Sequence, residues 1–180
     1  MVVVDDTVHD RMAALEERVR LLEDKVAIQQ LITAWGPAVD TGNSEAAASL
    51  FTEDCILESD LSYLVSPAAI SAMVLGEGHQ ALIRDGSAHI PATAIVNIEG
   101  DNATAIGYTR VYRHTPDGYE VWRVSANNWE FRRTPDGWRV VRRTAQLIDD
   151  TGKANELLSR AFDDSQRNHT APNMSTESPG

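Results

Sequence analysis

Apolar residues recur at spacings of three and four through the first part of the chain: Met12, Leu15, Val19, Leu22 and Val26 fall on one stripe. That is the period of an α-helix, and Glu16, Glu17, Arg18, Arg20, Glu23, Asp24 and Lys25 fill its other faces. The phase then changes. Ile28, Leu31, Ile32 and Trp35 make a broader apolar face, as for a helix lying on a sheet. A helix is predicted from about Asp6 to Trp35. Gly36-Pro37 is expected to weaken or kink it, because proline lacks a donor and clashes with the preceding turn. Thr41-Gly42-Asn43-Ser44 reads as a loop in which Asn43 or Ser44 can cap a second helix, Glu45 to Phe51. A short strand follows to Glu58. From Ser59 to Ser87 the pattern is mixed: Ser66-Pro67 starts a helix, Ala68 to Leu75 is apolar, and Gly76 and Gly78 interrupt before His79 to Arg84.

Beyond Ser87 the pattern becomes that of strands, predicted at His89–Ile98, Asn102–His114, Tyr119–Thr134 and Gly137–Leu147. Glu99-Gly100-Asp101 and two Thr-Pro-Asp-Gly segments, 115–118 and 134–137, connect them with turn chemistry. Thr151 to Phe162 reads as a short helix. From Ser165 the chain offers almost nothing to bury and is expected to be disordered. Helices first and a strand meander second predict an α+β fold in which the helices cover one face of a strongly curved antiparallel sheet and leave a pocket. The segments are 1–23, a helical extension; 24–148, the α+β domain; 149–163, a short helix; and 164–180, a tail. The extension either packs on a partner subunit or lies in solvent or on its own domain.

Composition narrows the function. At 180 residues the chain is long enough for one domain with a core, and 27 acids against 16 bases give a net charge of −11. That balance argues against a general nucleic-acid binder, which needs a cationic footprint. It disfavours anionic lipid as well, and suits a small neutral or apolar substrate. Cys55 is the sole cysteine, so no intrachain disulfide forms, and its apolar neighbours point to a buried strand residue. No apolar run approaches a membrane span, and the first residues lack a signal pattern, so a cytoplasmic protein is expected.

The candidate chemistry is an aspartate and a histidine. Asp40 ends the segment after the long helix, and His89 opens an apolar strand. Imidazole titrates near neutrality and suits a general base. A carboxylate on its other nitrogen would fix the tautomer and stabilise the imidazolium. The competing reading makes His89 structural and Asp40 an exposed loop residue. His114 abuts a turn and reads as surface, while His79 lies in a possible lid. The histidines show no ligand spacing, so neither a metal nor another cofactor is expected. Strand alternation puts Asn128 and Glu130 on one face and Asn127 and Trp129 on the other. Arg132, Arg133, Arg139, Arg142 and Arg143 read as solvated or interfacial charges. Val121, Trp122, Val124 and Trp138 supply more apolar surface than one cavity requires, so a homo-oligomer, most simply a dimer, is expected.

Leu50-Phe51-Thr52-Glu53-Asp54, the His-led strand, Gly100-Asp101-Asn102-Ala103 and Asp136-Gly137-Trp138-Arg139-Val140 together resemble the SnoaL-like family of the nuclear-transport-factor-2-like superfamily, over about residues 24–148. The resemblance implies a cone-shaped fold enclosing a pocket. Within the branch containing scytalone dehydratase and bile acid 7α-dehydratase, Asp40 and His89 match the Asp–His pair that abstracts a proton. That branch often has a tyrosine where this chain has Trp35, and Tyr63 stands as a substitute acid. Asn128 is the strand asparagine the resemblance points to, and Trp35 and Met73 would line the pocket. The implied activity is a cofactor-independent lyase or isomerase, dehydratase-like, acting on a small hydrophobic cyclic substrate. The alternative is a non-catalytic binding or assembly protein of the same fold, such as a dioxygenase β-subunit-like protein.

Overall fold

The computed structural model describes residues 6–168. Helix α1 (Asp6–Asp40) does not stop at Trp35, and Pro37 lies inside it. Pro37 and Thr33 are both exposed, so the Thr33 carbonyl left without its usual donor faces water. The helix ends in a Schellman arrangement: Gly42 takes φ 70°, its N–H bonds to the Val39 carbonyl at 3.1 Å, and the Asn43 N–H bonds to the Ala38 carbonyl at 2.9 Å. Asn43 then caps α2 (Ser44–Ser49), its side chain accepting from the Ala46 N–H. Strands β1 (Phe51–Ser59) and β2 (Tyr63–Val65) precede α3 (Pro67–Leu75), which is capped by Ser66 as expected, and α4 (Glu77–Asp85).

The expected strand from His89 to Ile98 is two, β3 (Ser87–Pro91) and β4 (Ile95–Glu99), both paired to β5 (Asn102–Thr115). His89 is therefore the middle of a strand. Pro91 ends the first ladder, and the Ala92 N–H bonds to the Tyr108 carbonyl. Beyond it the chain presses on Gly107, where a Cβ would come within 3.1 Å of Ala94 Cα. Strands β6 (Gly118–Thr134) and β7 (Gly137–Leu147) follow through the two Thr-Pro-Asp-Gly turns. In each the glycine has positive φ and the threonine hydroxyl donates to its carbonyl.

The curved sheet runs β2-β1-β7-β6-β5-β3, with β4 beside β5. It is mixed, which corrects the antiparallel expectation: β1 lies parallel to β7. The long connection from β1 to β7 carries the chain back to the same end, which a hairpin would not do. Ile28, Ile32, Trp35 and Val39 of α1 pack with Ile70 and Val74 of α3 on the inner face, against Cys55, Trp129, Phe131 and Val140. Helix α5 (Lys153–Asn168) lies on the outer face, with Ala154, Leu157 and Ala161 against Ile106 and Ala126. It runs past the expected end of the helix into the segment expected to be a tail. The rest of that tail, 169–180, lies outside the described residues.

Asp24 ties α1 to the β6–β7 hairpin. Arg133 donates to both its oxygens, at 2.8 and 2.7 Å, and Trp138 Nε1–H donates at 2.9 Å. These bonds, Arg133's foremost, hold the Asp24 carboxyl below the usual carboxylate range against the opposing effect of burial.

Candidate active site

The last turns of α1 build one side of the site. Asp40 reaches β3 with both oxygens: Oδ1 lies 2.6 Å from His89 Nδ1, and Oδ2 accepts the His89 backbone N–H at 2.7 Å. The backbones must come close for this. A Cβ at Gly36 would stand 2.1 Å from the His89 carbonyl oxygen, so only glycine fits there. An ionised carboxylate accepts only, so Nδ1 carries the imidazole proton and Nε2 keeps its lone pair. No protein group among the described residues bonds to Nε2. His79 lies beside this ring at 5.8 Å between centroids, and its Nε2–H donates to the Val39 carbonyl at 2.8 Å.

His89 forms part of the wall of a cavity of about 430 Å³. Helix α1 contributes Trp35 and Val39, helices α3 and α4 contribute Met73, His79 and Leu82, and the sheet contributes Thr109, Val111, Trp122, Arg123, Ser125 and Arg143. The segment from Ser59 to Ser87 adds Ser59, Leu61 and Ser62 to the same wall. Trp35 and Met73 line the cavity without filling it.

Arg143 is a buried cation with no carboxylate partner among the described residues. Its Nε and Nη2 donate to Asn127 Oδ1 at 3.0 and 2.8 Å, and its guanidinium lies 4.8 Å from the Trp35 ring and 4.5 Å from that of Trp129. Burial, with the nearby Arg123 cation, pulls its pKa down to about 9, which leaves it charged at neutral pH. Asn127 is fixed in turn by donating to the Ser125 carbonyl and hydroxyl. The Trp35 indole N–H is buried without a partner among the described residues. The wall thus combines a lone-pair base, a fixed cation and one spare N–H donor among apolar and polar side chains.

Two expected site residues lie elsewhere. Tyr63 is exposed on the edge strand β2 and does not line the cavity. Asn128 points to the other face of the sheet, where it donates to Glu130 and lines an outer depression beneath α5 with Arg160. Asn127 is the asparagine on the cavity side. Of the arginines read as solvated, Arg132, Arg133 and Arg142 do pair with Asp54, Asp24 and Glu58, but Arg143 does not belong with them. Trp138, counted as spare surface, is buried on Asp24. His114 is exposed, edge-on to Tyr119. Cys55 is buried, which raises its thiol pKa, and is not part of the cavity wall. Among the described residues no cluster of three or more His, Cys, Asp or Glu is placed to hold a metal, and no helix is long and apolar enough to cross a membrane.

The sequence profile of the SnoaL-like domain matches residues 20–144. The chain belongs to the SnoaL-like family. Among solved structures, this SnoaL-like chain is similar to an NTF2-like protein with a cystatin-like fold from Novosphingobium aromaticivorans. The two are 40% identical, the match covers 87% of this chain and 99% of the other, and the TM-score is 0.80. A candidate aromatic ring hydroxylase from the same organism is 29% identical over 71% of this chain and 91% of its own, with a TM-score of 0.59. The β subunit of a candidate aromatic-ring-hydroxylating dioxygenase, also from Novosphingobium aromaticivorans, shares the fold at 20% identity, 73% and 92% coverage and a TM-score of 0.59. No curated protein sequence matches the chain. In this SnoaL-like domain Asp40, His89 and Arg143 all fall within the matched residues.

Proposed function

We propose that this chain is a cofactor-independent lyase or isomerase that abstracts a proton from a small hydrophobic cyclic substrate. One observation carries the reading: the two-point hold of Asp40 on His89, with Nε2 left open at a half-open cavity whose lining is mainly apolar. His89 Nε2 takes a proton from a carbon acidified by a neighbouring carbonyl. Asp40 keeps the proton of Nδ1 in place and stabilises the imidazolium that forms. Negative charge develops on the substrate oxygen, or on a departing hydroxide, and Arg143 is the group that receives it. A fixed cation in a dry wall is worth far more to such charge than one in water. Tyr63 is too far out on the edge to take this part.

The test needs no knowledge of the product. Cyclic ketones and β-hydroxy ketones are incubated with the protein in D₂O, and loss of the α-proton signal is followed by NMR. Enzyme-dependent exchange that disappears in His89→Ala is the expected result. Exchange or turnover that persists undiminished in His89→Ala would remove the base from the mechanism. The fold shared with a dioxygenase β subunit keeps the assembly reading in view. That reading expects ligand-independent behaviour and no effect of cavity substitutions.

A further inference from the structure

We propose that the outer half of α1 pairs with the same segment of a second copy of this chain, as a parallel, in-register two-stranded coiled coil. Residues 7–23 are exposed on every side of the helix. Asp24, held by Arg133 and Trp138, is where α1 meets the domain. Along the projecting part, Val8, Met12, Leu15, Val19, Leu22 and Val26 are each between 45% and 63% exposed. Their spacing alternates four and three from Val8 through Val26 without a break, the heptad period. The seam also lies on the side of α1 away from the domain: Val26 is exposed and Ile28 is fully buried, about 200° around the helix. The next two seam positions, Gln29 and Thr33, are polar, and Gln29 donates instead to the Ala94 carbonyl. The seam therefore ends where the domain begins.

The flanking charges name the occupant. With Met12, Val19 and Val26 at a, and Val8, Leu15 and Leu22 at d, the g positions hold Arg11, Arg18 and Lys25. The e positions hold His9, Glu16 and Glu23. In a parallel pair each g residue faces the e residue five further along on the partner, so Arg11 meets Glu16 and Arg18 meets Glu23. In an antiparallel pair like positions meet, which sets Arg against Arg and Glu against Glu. Arg11, Glu16, Arg18 and Glu23 make no ion pair within their own chain among the described residues, whereas Glu17 and Arg20, on the outer surface, pair with each other. Val at two of the three a positions with Leu at two of the three d positions favours two strands. A second copy of this chain satisfies the seam, the charges and the strand number together.

Single cysteines test the register. In a Cys55→Ala background, Met12→Cys and Val19→Cys are made separately in the full chain and oxidised mildly. Both should give covalent dimers on a non-reducing gel. An antiparallel pair can match a residue with itself in one layer only, so cross-linking at a single site overturns the orientation. No cross-linking at either site overturns the proposal. Sedimentation supplies the second measurement. Arg11→Glu with Arg18→Glu should weaken the dimer at least tenfold, as should Glu16→Arg with Glu23→Arg, and mixing the two variants should restore it as a heterodimer. These exposed substitutions leave the domain core untouched. A dimer of unchanged affinity in both variants would place the contact elsewhere and sink the coiled coil.

Discussion

Asp40 stands in the last turn of α1, against the negative end of the helix dipole, where a carboxylate is unfavourable. Its two bonds to His89 account for its presence there. An asparagine in its place would have only one acceptor oxygen. If that oxygen keeps the His89 backbone N–H, the amide must donate to Nδ1, and the proton moves to Nε2. Asp40→Asn should then lose about as much rate as His89→Ala, roughly 10²–10⁴-fold for one general base. The double variant should be little worse than either. Proton exchange rates for all three, with melting curves to show that each is folded, check this. Arg143 predicts the opposite balance of stability and activity. A glutamine side chain there can still donate to Asn127 Oδ1 but carries no charge, so Arg143→Gln removes a buried unpaired cation. The melting temperature of this variant should hold or rise, while activity falls about 10²–10³-fold, as for an oxyanion donor. A large loss of stability with activity intact would count against a charge-receiving part for Arg143.

Between elements, the contact of α1 with β3 is set by one missing methyl group. Gly36→Ala should gain about 1 kcal/mol of helix propensity and lose more, because its Cβ would overlap the His89 carbonyl oxygen. Overpacking of this kind costs about 1–3 kcal/mol. The expected result is a lower melting temperature together with reduced activity, since the base moves with the strand. At the other end of the domain, Asp24→Asn should cost about 2–4 kcal/mol by weakening the hold of Arg133 and Trp138. Asp24 has a folded pKa below its unfolded value, which is near about 3.9. Its contribution is therefore complete above about pH 4 and is lost as pH falls through the folded value. Urea midpoints from pH 7 down to 3 should fall for the parent chain and fall less steeply for Asp24→Asn. The strands and turns from Asn102 to Leu147 were legible because period-two alternation and two Thr-Pro-Asp-Gly turns fix both register and ends. Arg143 was not. Alternation from Trp138 and Val140 sends Arg142 inward, but the β6–β7 register skips at Val141 and brings Arg143 in instead. For Asn127 the signal was there: it shares a face with Trp129, and a buried tryptophan marks the inner side. Pro37 misled in the other direction, because its solvent-facing place in the last turns made its missing donor harmless.

For the whole molecule, the α+β class and the meeting of Asp40 with His89 followed from the residues once the family resemblance supplied the topology. Nothing local could say that β1 would lie parallel to β7, because parallel pairing carries no turn signature. That pairing also decides when the fold can be completed. β5, β6 and β7 are joined by tight turns and can associate early, at little cost in loop entropy. Residues 51–59 can pair early with β2, but they must wait for residues 140–145 before β1 joins the rest of the sheet. On a ribosome, α1 and its two apolar faces emerge long before the strand that closes the sheet, so the chain spends most of its synthesis with Trp35 and Ile32 uncovered. Substitutions in β1 such as Leu57→Ala should therefore speed unfolding and leave refolding nearly unchanged. Phe131→Ala in the central hairpin should slow refolding. Stopped-flow chevrons would read the difference directly, and nascent chains halted before β7 should be the ones that bind chaperones.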